Sequence, residues 1–194
     1  MSDPLRDVPL ADLTVDSTKR PDRPRFAQAD DAQRGPGRHL AAIHRHYLMD
    51  LSRIAQVLHR IKAGDAPPAE LVQIVLNAEM AQNFRAFGTL CGQECHVLTM
   101  HHNIEEQSIF PQLHARGSDA MRAVVDRLRA EHKVVHELLE RLAAVSHTLT
   151  ATPDAATFGE ATAIFEQLVK VVKSHFHYEE TALEEALGVY GVMV

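Results

Sequence analysis

The chain has no tryptophan, three tyrosines and only two cysteines among its 194 residues. Two cysteines cannot supply a disulfide framework. Cys91 and Cys95 are four residues apart, which on a helix places their β-carbons about 5–6 Å apart, whereas a disulfide needs about 3.8 Å. We therefore interpret them as small buried hydrophobic residues rather than as a redox pair.

Long apolar runs and clusters of basic residues are also missing. No apolar run approaches the roughly 20 residues that a membrane span needs, and acidic residues occupy the N-terminal positions where a signal peptide would have its apolar core. The formal net charge of −6 argues against a nucleic-acid-binding surface. We expect a cytoplasmic protein with neither a nucleic-acid nor a membrane partner, and the sequence leaves its oligomeric state open.

The length and the 45% apolar content fit one folded domain with a tail. Residues 1–37 combine several prolines with mixed charges and little apolar area. Because such a segment cannot offset its ordering entropy, it is predicted to be a flexible N-terminal arm. We assign residues 38–187 to a helical domain and residues 188–194 to a C-terminal tail.

Apolar residues recur at helical spacing from residue 38 onward, and no run alternates with period two clearly enough to predict a strand. The predicted helices span residues 38–63, 68–87, 90–115, 119–148 and 155–187, with Ser118 or Asp119 capping the fourth. Gly88 and Gly92 predict a kink or break before the third helix. Short connections between long amphipathic helices predict an all-α fold, an antiparallel four-helix bundle core with one extra helix at 68–87.

Histidine is abundant, with 13 residues. An α-helix turns about 100° per residue, so each histidine can be compared with the apolar stripe of its helix. The ionisable residues that share such a stripe are His44, His101, Glu105, His132, His136, His175 and Glu179. The remaining histidines are assigned to the surface or to supporting roles; they are His39, His46, His59, His96, His102, His114, His147 and His177.

The third helix contains two adjacent histidines and two adjacent glutamates. Its apolar face, taken from residues that include Leu98 and Ile104, contains His101 and Glu105. His102 and Glu106 are rotated about 100° further and are expected on the flank, solvated or supporting the site.

Five imidazoles and two carboxylates in one core are costly to bury unless they neutralise a partner or bind a metal. Seven N and O ligands are too many for one tetrahedral zinc site and suit two metals that share carboxylate bridges. This donor set favours iron, and manganese or a mixed iron–manganese pair fits it too. The Glu-x-x-His motif of ferritin-type di-iron proteins and the His-Glu-x-x-His motif of zinc proteases are both absent.

Three stretches, "HHNIEEQSIFPQL", "EHKVVH" and "HFHYEE", occur in the order found in hemerythrin-like (HHE cation-binding) domains, and residues 38–187 resemble this family. The resemblance implies two non-heme irons bridged by an oxygen atom and by both carboxylates. The ligands that it implies are the same seven: His44, His101, Glu105, His132, His136, His175 and Glu179.

The chain departs from the long-studied oxygen carriers of this family at two points. Those proteins have an aspartate at the fifth position after the last histidine, whereas here Glu179 and Glu180 occupy the fourth and fifth positions after His175. Either glutamate can therefore be the bridging residue. The second departure is the predicted extra helix at 68–87. In this respect the chain resembles a bacterial stand-alone subgroup of the family.

The resemblance implies reversible binding of O2, NO or peroxide at an open position on one iron, in carriage, sensing, or iron and oxidative-stress handling. Leu98, Ile104 and Tyr47 are expected either to line that pocket or to be ordinary core residues. The alternative is a redox enzyme at the same irons, such as catalase-like peroxide disproportionation, in which Tyr47 or Tyr178 assists. A metal-free bundle that acts through its surface is a third hypothesis.

Overall fold

A computed structural model describes residues 4–65, 93–151 and 154–194. Its helices are α1 (Asp31–Lys62), α2 (Gln93–Ile104), a π turn (Glu105–Ile109), α3 (Phe110–Arg116), α4 (Asp119–Ala151), α5 (Ala155–Leu183) and α6 (Ala186–Val189), preceded by 3-10 turns at Leu10–Asp12 and Ser17–Lys19. Every regular element in these ranges is helical, which confirms the all-α prediction. The predicted helix at 68–87, the predicted break at Gly88 and Gly92, and Cys91 lie outside the described residues.

Polar contacts between α1 and α5 show their relative direction. Lys62, at the end of α1, lies 3.6 Å from Glu166, whereas His44, nearer its start, lies 3.2 Å from Glu180. Contacts that advance along one helix while they retreat along the other require antiparallel helices.

The same pattern relates the α2-to-α3 segment to α4. Glu106 of the π turn contacts His132 at 3.0 Å, and His114 of α3 lies 4.0 Å from Asp126 earlier in α4. These two elements are therefore antiparallel as well. None of the described helices is both long enough and apolar enough to cross a membrane.

Helix α1 begins at Asp31, not at residue 38. The Gln33 amide donates to Asp30 Oδ1 at 2.8 Å, and the Asp30 amide donates to the Gln33 side chain at 3.0 Å. This reciprocal pair is a capping box, which satisfies two backbone donors at the helix start. The capping box starts the helix before Pro36. Pro36 therefore lies inside α1, whereas it was predicted to belong to the N-terminal arm.

Two other helix starts have side-chain caps. Of the two predicted candidates for α4, Ser118 is the cap, because its Oγ accepts from the Met121 amide at 3.3 Å. Asp154 caps α5 by accepting from the Ala156 and Thr157 amides at 2.8 and 2.9 Å. These short polar residues satisfy amides that have no partner within the helix.

Residues 4–30, called here the N-terminal segment, lie against α4 and α5, and residues 31–37 are the first turns of α1. Leu13 is 1% exposed and belongs to an apolar cluster of these helices. Its carbonyl accepts from Gln167 Nε2 at 2.9 Å. Although residues 1–37 are rich in prolines and charges, their N-terminal part also contains apolar side chains that pack here: Leu5, Val8, Leu10, Leu13 and Val15.

The predicted C-terminal tail also contacts the domain. Val192 is fully buried, and Arg116 donates to the carbonyls of Tyr190 and Gly191 at 2.9 and 3.1 Å. Gly191 has a φ of 64°, a left-handed conformation that glycine adopts without steric cost. The chain can therefore turn here and return Val192 to the core.

The core consists of two apolar clusters with a layer of ionisable residues between them. On α1, His44 lies between Leu40 of one cluster and Leu51 of the other. On α4, His132 lies between Leu128 and Val135 in the same way. The apolar face of each of these two helices therefore runs the length of the core, except at one level where histidines replace the apolar residues.

Candidate metal centre

The ionisable layer contains two groups of side chains that could hold a metal ion. The first group consists of His44, His101, Glu105 and Glu179, and the second of His102, His132 and His175. Within each group, one ligand atom from every residue lies within 4.8 Å of the others. All seven residues are buried. They come from α1, α2, the π turn, α4 and α5, so the whole bundle contributes.

Two glutamates lie between the groups. Glu105 Oε1 is 3.1 Å from His101 Nε2, and Glu105 Oε2 is 3.5 Å from His132 Nε2. Glu179 Oε2 is 3.7 Å from His44 Nε2 and 3.5 Å from His175 Nε2. Each carboxylate therefore contacts histidines of both groups, which is the placement that a bridging ligand needs.

Many polar atoms of this layer are buried without a hydrogen-bond partner in the described chain. They are both ring nitrogens of His102, Nε2 of His132, His136 and His175, and both carboxylate oxygens of Glu105 and Glu179. Each such group costs about 1–3 kcal/mol if nothing compensates it. Imidazole nitrogens and carboxylate oxygens are common ligands of divalent metals, so these residues fit a pair of metal ions.

Three of the histidines have a carboxylate partner on the ring nitrogen that points away from the centre. The pairs are His44 Nδ1 with Glu180 at 3.2 Å, His132 Nδ1 with Glu106 at 3.0 Å, and His175 Nδ1 with Glu131 at 3.2 Å. A carboxylate that accepts from Nδ1–H leaves the lone pair on Nε2 and fixes the orientation of the ring. The three Nε2 atoms are thereby prepared for metal binding.

These partners follow a simple pattern in the sequence. In the neighbouring pairs Glu105–Glu106, Glu131–His132 and Glu179–Glu180, one residue faces the centre. The other, about 100° away, reaches a histidine of an adjacent helix. Glu106 thus supports α4, Glu131 supports α5, and Glu180 supports α1. Each adjacent pair therefore provides a residue of the centre and a residue that orients or joins a neighbouring helix.

Burial controls the protonation of the layer. It lowers the pKa of His101 to about 3 and also lowers the pKa of His102 and His132. Burial, together with the charge of Glu179, raises the pKa of Glu105. Burial opposes ionisation of Glu131, yet hydrogen bonds from His175 and Arg20 lower its pKa to about 2. His101, His102 and His132 are therefore neutral near pH 7, as metal ligands must be.

The metal-free protein is expected to be less stable at pH 5 than at pH 7. His101, His102 and His132 have lowered pKa values, so below pH 6.5 the unfolded chain binds protons that the folded chain does not. Each of these histidines lowers the free energy of unfolding by up to about 1.4 kcal/mol per pH unit. Glu105, with its raised pKa, acts in the opposite direction, but one group does not outweigh three. Urea unfolding at both pH values measures this, and equal or greater stability at pH 5 would contradict it.

A family model for the hemerythrin HHE cation binding domain matches residues 38–187, a range that contains both groups. The chain belongs to this family. The resemblance found in the sequence is thereby confirmed. No curated protein and no solved structure matches the chain. Both groups therefore lie inside a hemerythrin-like cation-binding domain.

Six of the seven ligands predicted from the hemerythrin resemblance lie in the two groups. The seventh, His136, is outside them, although its Nε2 is buried with no partner within residues 4–65, 93–151 and 154–194, and its ring centroid lies 5.4 Å from that of His102. His102 takes a place in the second group instead. Which of these residues bind metal stays a prediction.

The expectation that His102 lies on the flank is wrong, because its side chain is completely buried. The sequence prediction took the inward direction close to His101 and counted Ile104, which is 56% exposed, in the apolar face. Leu98 and Glu105 are both buried and define the inward direction. His101 and His102 lie about 60° and 40° to either side of Leu98, so both reach the core. Ile104 points away and does not line a pocket.

The other expectations for this region have mixed outcomes. Glu106 is 30% exposed and supports His132, in agreement with the supporting role. Of the two glutamates that could bridge, Glu179 is buried between the groups, whereas Glu180 contacts His44 Nδ1 from the outside. The Tyr178 hydroxyl donates to the Pro21 carbonyl at 3.2 Å, on the side of the N-terminal segment.

Sequence reasoning also missed the π turn at Glu105–Ile109, in which the Phe110 amide donates to the Glu105 carbonyl. One extra residue in the turn rotates the following face by about 100°, which brings Phe110 inward. The Phe110 ring then stacks on His132 with centroids 5.2 Å apart. Pro111 is the sequence signal, because it lacks an amide hydrogen and disfavours a regular α-helical turn before it.

Proposed function

We propose that this hemerythrin-like chain is a cytoplasmic non-heme di-iron protein that binds O2 or a related small oxidant, NO or peroxide, within the bundle core. The observation that carries the proposal is the pair of glutamates, Glu105 and Glu179, each between the two groups of histidines. His44 and His101 would hold one iron, and His102, His132 and His175 the other. Bound iron supplies reversible redox chemistry and an affinity for small oxidants.

Iron is favoured by the donor set. Among the described residues, the two groups consist of imidazole nitrogens and carboxylate oxygens, and seven ligands exceed what one tetrahedral zinc requires. Manganese or a mixed pair uses the same donors, so metal analysis is the deciding measurement. The centre is also enclosed by apolar residues; the Phe176 ring, for example, stacks on His44 with centroids 3.7 Å apart.

The position of Tyr178 argues against one of the two groups considered for proton delivery in a redox enzyme. A redox enzyme needs a group that delivers protons to the centre, and Tyr178 was one of two candidates. Its hydroxyl is hydrogen-bonded to Pro21, and burial raises its pKa to about 12. Tyr178 is therefore unsuited to proton transfer near pH 7. Tyr47, the other candidate, has its ring centroid 5.4 Å from that of His101.

The function is tested on the full chain produced in iron-replete cells. We expect about two iron ions per chain and absorption bands of a carboxylate-bridged diferric centre in the oxidised protein. After dithionite reduces both irons to the ferrous state and the excess is removed, we expect a spectral change that reverses when O2 is added and removed. The zinc-loaded protein is the spectroscopically silent control. Steady O2 release from added hydrogen peroxide would favour the enzyme instead, and less than about one metal ion per chain would contradict the metal centre.

A further inference from the structure

Arg20 of the N-terminal segment has a side chain that is only 11% exposed and reaches the outer side of the metal centre. Its Nε donates to Glu131 Oε1 at 2.9 Å and its Nη2 donates to Glu131 Oε2 at 3.0 Å. Nη2 also donates to the Ser174 carbonyl and hydroxyl at 3.0 and 3.1 Å, and the guanidinium lies 4.7 Å from the ring centroid of Tyr178. Arg20 thus joins α4 to α5.

Glu131 connects this arginine to the centre. The glutamate is buried, and the Oε2 atom that accepts from Arg20 also accepts from His175 Nδ1 at 3.2 Å. Arg127 donates to Oε1 at 2.9 Å. The opposite nitrogen of His175, Nε2, is buried and faces Glu179 Oε2 at 3.5 Å, and His175 is a member of the second group of candidate ligands. Two hydrogen bonds therefore separate the N-terminal segment from a candidate metal ligand.

The chain on both sides of Arg20 is held by the bundle. Before it, the carbonyls of Leu13 and Asp16 accept from Gln167 and Arg127 at 2.9 and 2.8 Å. After it, the Pro21 carbonyl accepts from Tyr178 at 3.2 Å. Leu13 is also buried among apolar residues of α4 and α5. These contacts fix the backbone on both sides of Arg20 and so hold its guanidinium near Glu131. Little conformational entropy is therefore lost when the two side chains bind.

We propose that Arg20 is a positioning residue for His175, and that the N-terminal segment thereby controls how tightly the centre retains the metal ion of the second group. The inference rests on the proposed metal site. The planar guanidinium binds both oxygens of Glu131, which sets the carboxylate plane and hence the direction in which His175 is held. Without this contact, Glu131 keeps Arg127 on one oxygen only, and His175 gains rotational freedom.

The test compares how fast iron-loaded full-length variants lose metal to an excess of chelator. Loss of an outer partner of a metal-binding histidine typically costs 10–100-fold in affinity, so we expect about 10-fold faster release from R20A. R20K keeps the charge without the planar fork and should fall between R20A and wild type. R34A is the matched control, because Arg34 pairs with Glu185 at 2.7 Å, outside both groups of candidate ligands, and it should release metal at the wild-type rate.

A purely structural role for Arg20 is separated by a double-mutant cycle with E131Q. If Arg20 acts through Glu131, R20A should accelerate release less than about 2-fold in the E131Q background, because coupled residues are not additive. The proposal would be overturned if R20A accelerated metal release 10-fold both with and without E131Q. It would also be overturned if R20A alone released metal at the wild-type rate. If R20A does not fold in a urea-unfolding control, R20K decides, and release at the wild-type rate counts against the proposal. Wild-type protein that loads no metal would overturn this inference and the proposed function together.

Discussion

Replacing Glu105 with glutamine is expected to lower the metal content from about two ions per chain to fewer than one, and to raise the free energy of unfolding of the metal-free protein by about 1–3 kcal/mol. The two effects have opposite signs because the carboxylate has opposite consequences in the two states. With metal bound, Glu105 places one oxygen near His101 and the other near His132, so it contributes to both groups. A neutral amide cannot replace it as a bridge.

In the metal-free protein the same carboxylate is a liability. It is fully buried, neither oxygen has a hydrogen-bond partner among the described residues, and burial and the nearby Glu179 charge raise its pKa. At pH 7 the folded state therefore either takes up a proton that the unfolded chain does not hold or keeps an unpaired charge. Glutamine has the same shape and removes this cost.

Metal analysis after iron loading and urea unfolding of the metal-free protein measure both effects. E106Q is the matched control on the adjacent residue, because Glu106 supports His132 from the outside and should change metal affinity by about 10–100-fold without preventing loading. A decrease in both metal content and metal-free stability for E105Q would mean that Glu105 is a structural residue and not a ligand.

The helices were largely predictable, whereas the N-terminal segment was not. Helix α5 begins at the predicted Ala155 because Asp154 supplies a local cap, and α1 begins early because of another local cap at Asp30. Such signals can be read from a few consecutive residues. The contact between Arg20 and Glu131 joins residues that are 111 positions apart, and no local pattern encodes it. Because such long-range contacts cannot be read from the sequence, only the local prolines and mixed charges of residues 1–37 were available, and these predicted a flexible arm.

The candidate site shows the same division. The spacing from His101 to Glu105 and from His175 to Glu179 is helical and local, so both pairs were found. His102 was assigned to the flank because His101 was taken as the inward direction, whereas the buried Leu98 lies about 60° from His101, toward His102. Glu106 was expected to support the site, but the histidine that each carboxylate contacts through Nδ1 was not predicted. Each carboxylate belongs to a different element from its histidine, and only the packing of the bundle brings them together.

Replacing His102 with alanine is expected to weaken metal binding by the second group more than about 100-fold, as much as H132A does, because a direct ligand contributes more than its outer partners. Both ring nitrogens of His102 are buried without a partner in the part of the chain that the structure describes, and His102 lies with His132 and His175. Its ring stacks on that of His132 with centroids 4.0 Å apart. The first group keeps His44, His101 and both glutamates, so H102A should retain about one ion per chain.

The H136A variant provides the comparison. His136 has a buried Nε2 but lies outside the second group, so its loss should weaken binding by no more than about 10-fold. Metal competition with a chromophoric chelator, followed by analysis of the bound metal, separates the two variants. If H136A loses one ion while H102A keeps both, the ligand set implied by the sequence resemblance is the correct one. His102 would then be a buried neighbour of the centre, held neutral by its burial, and the inward direction of α2 would lie closer to His101 than Leu98 and Glu105 indicate.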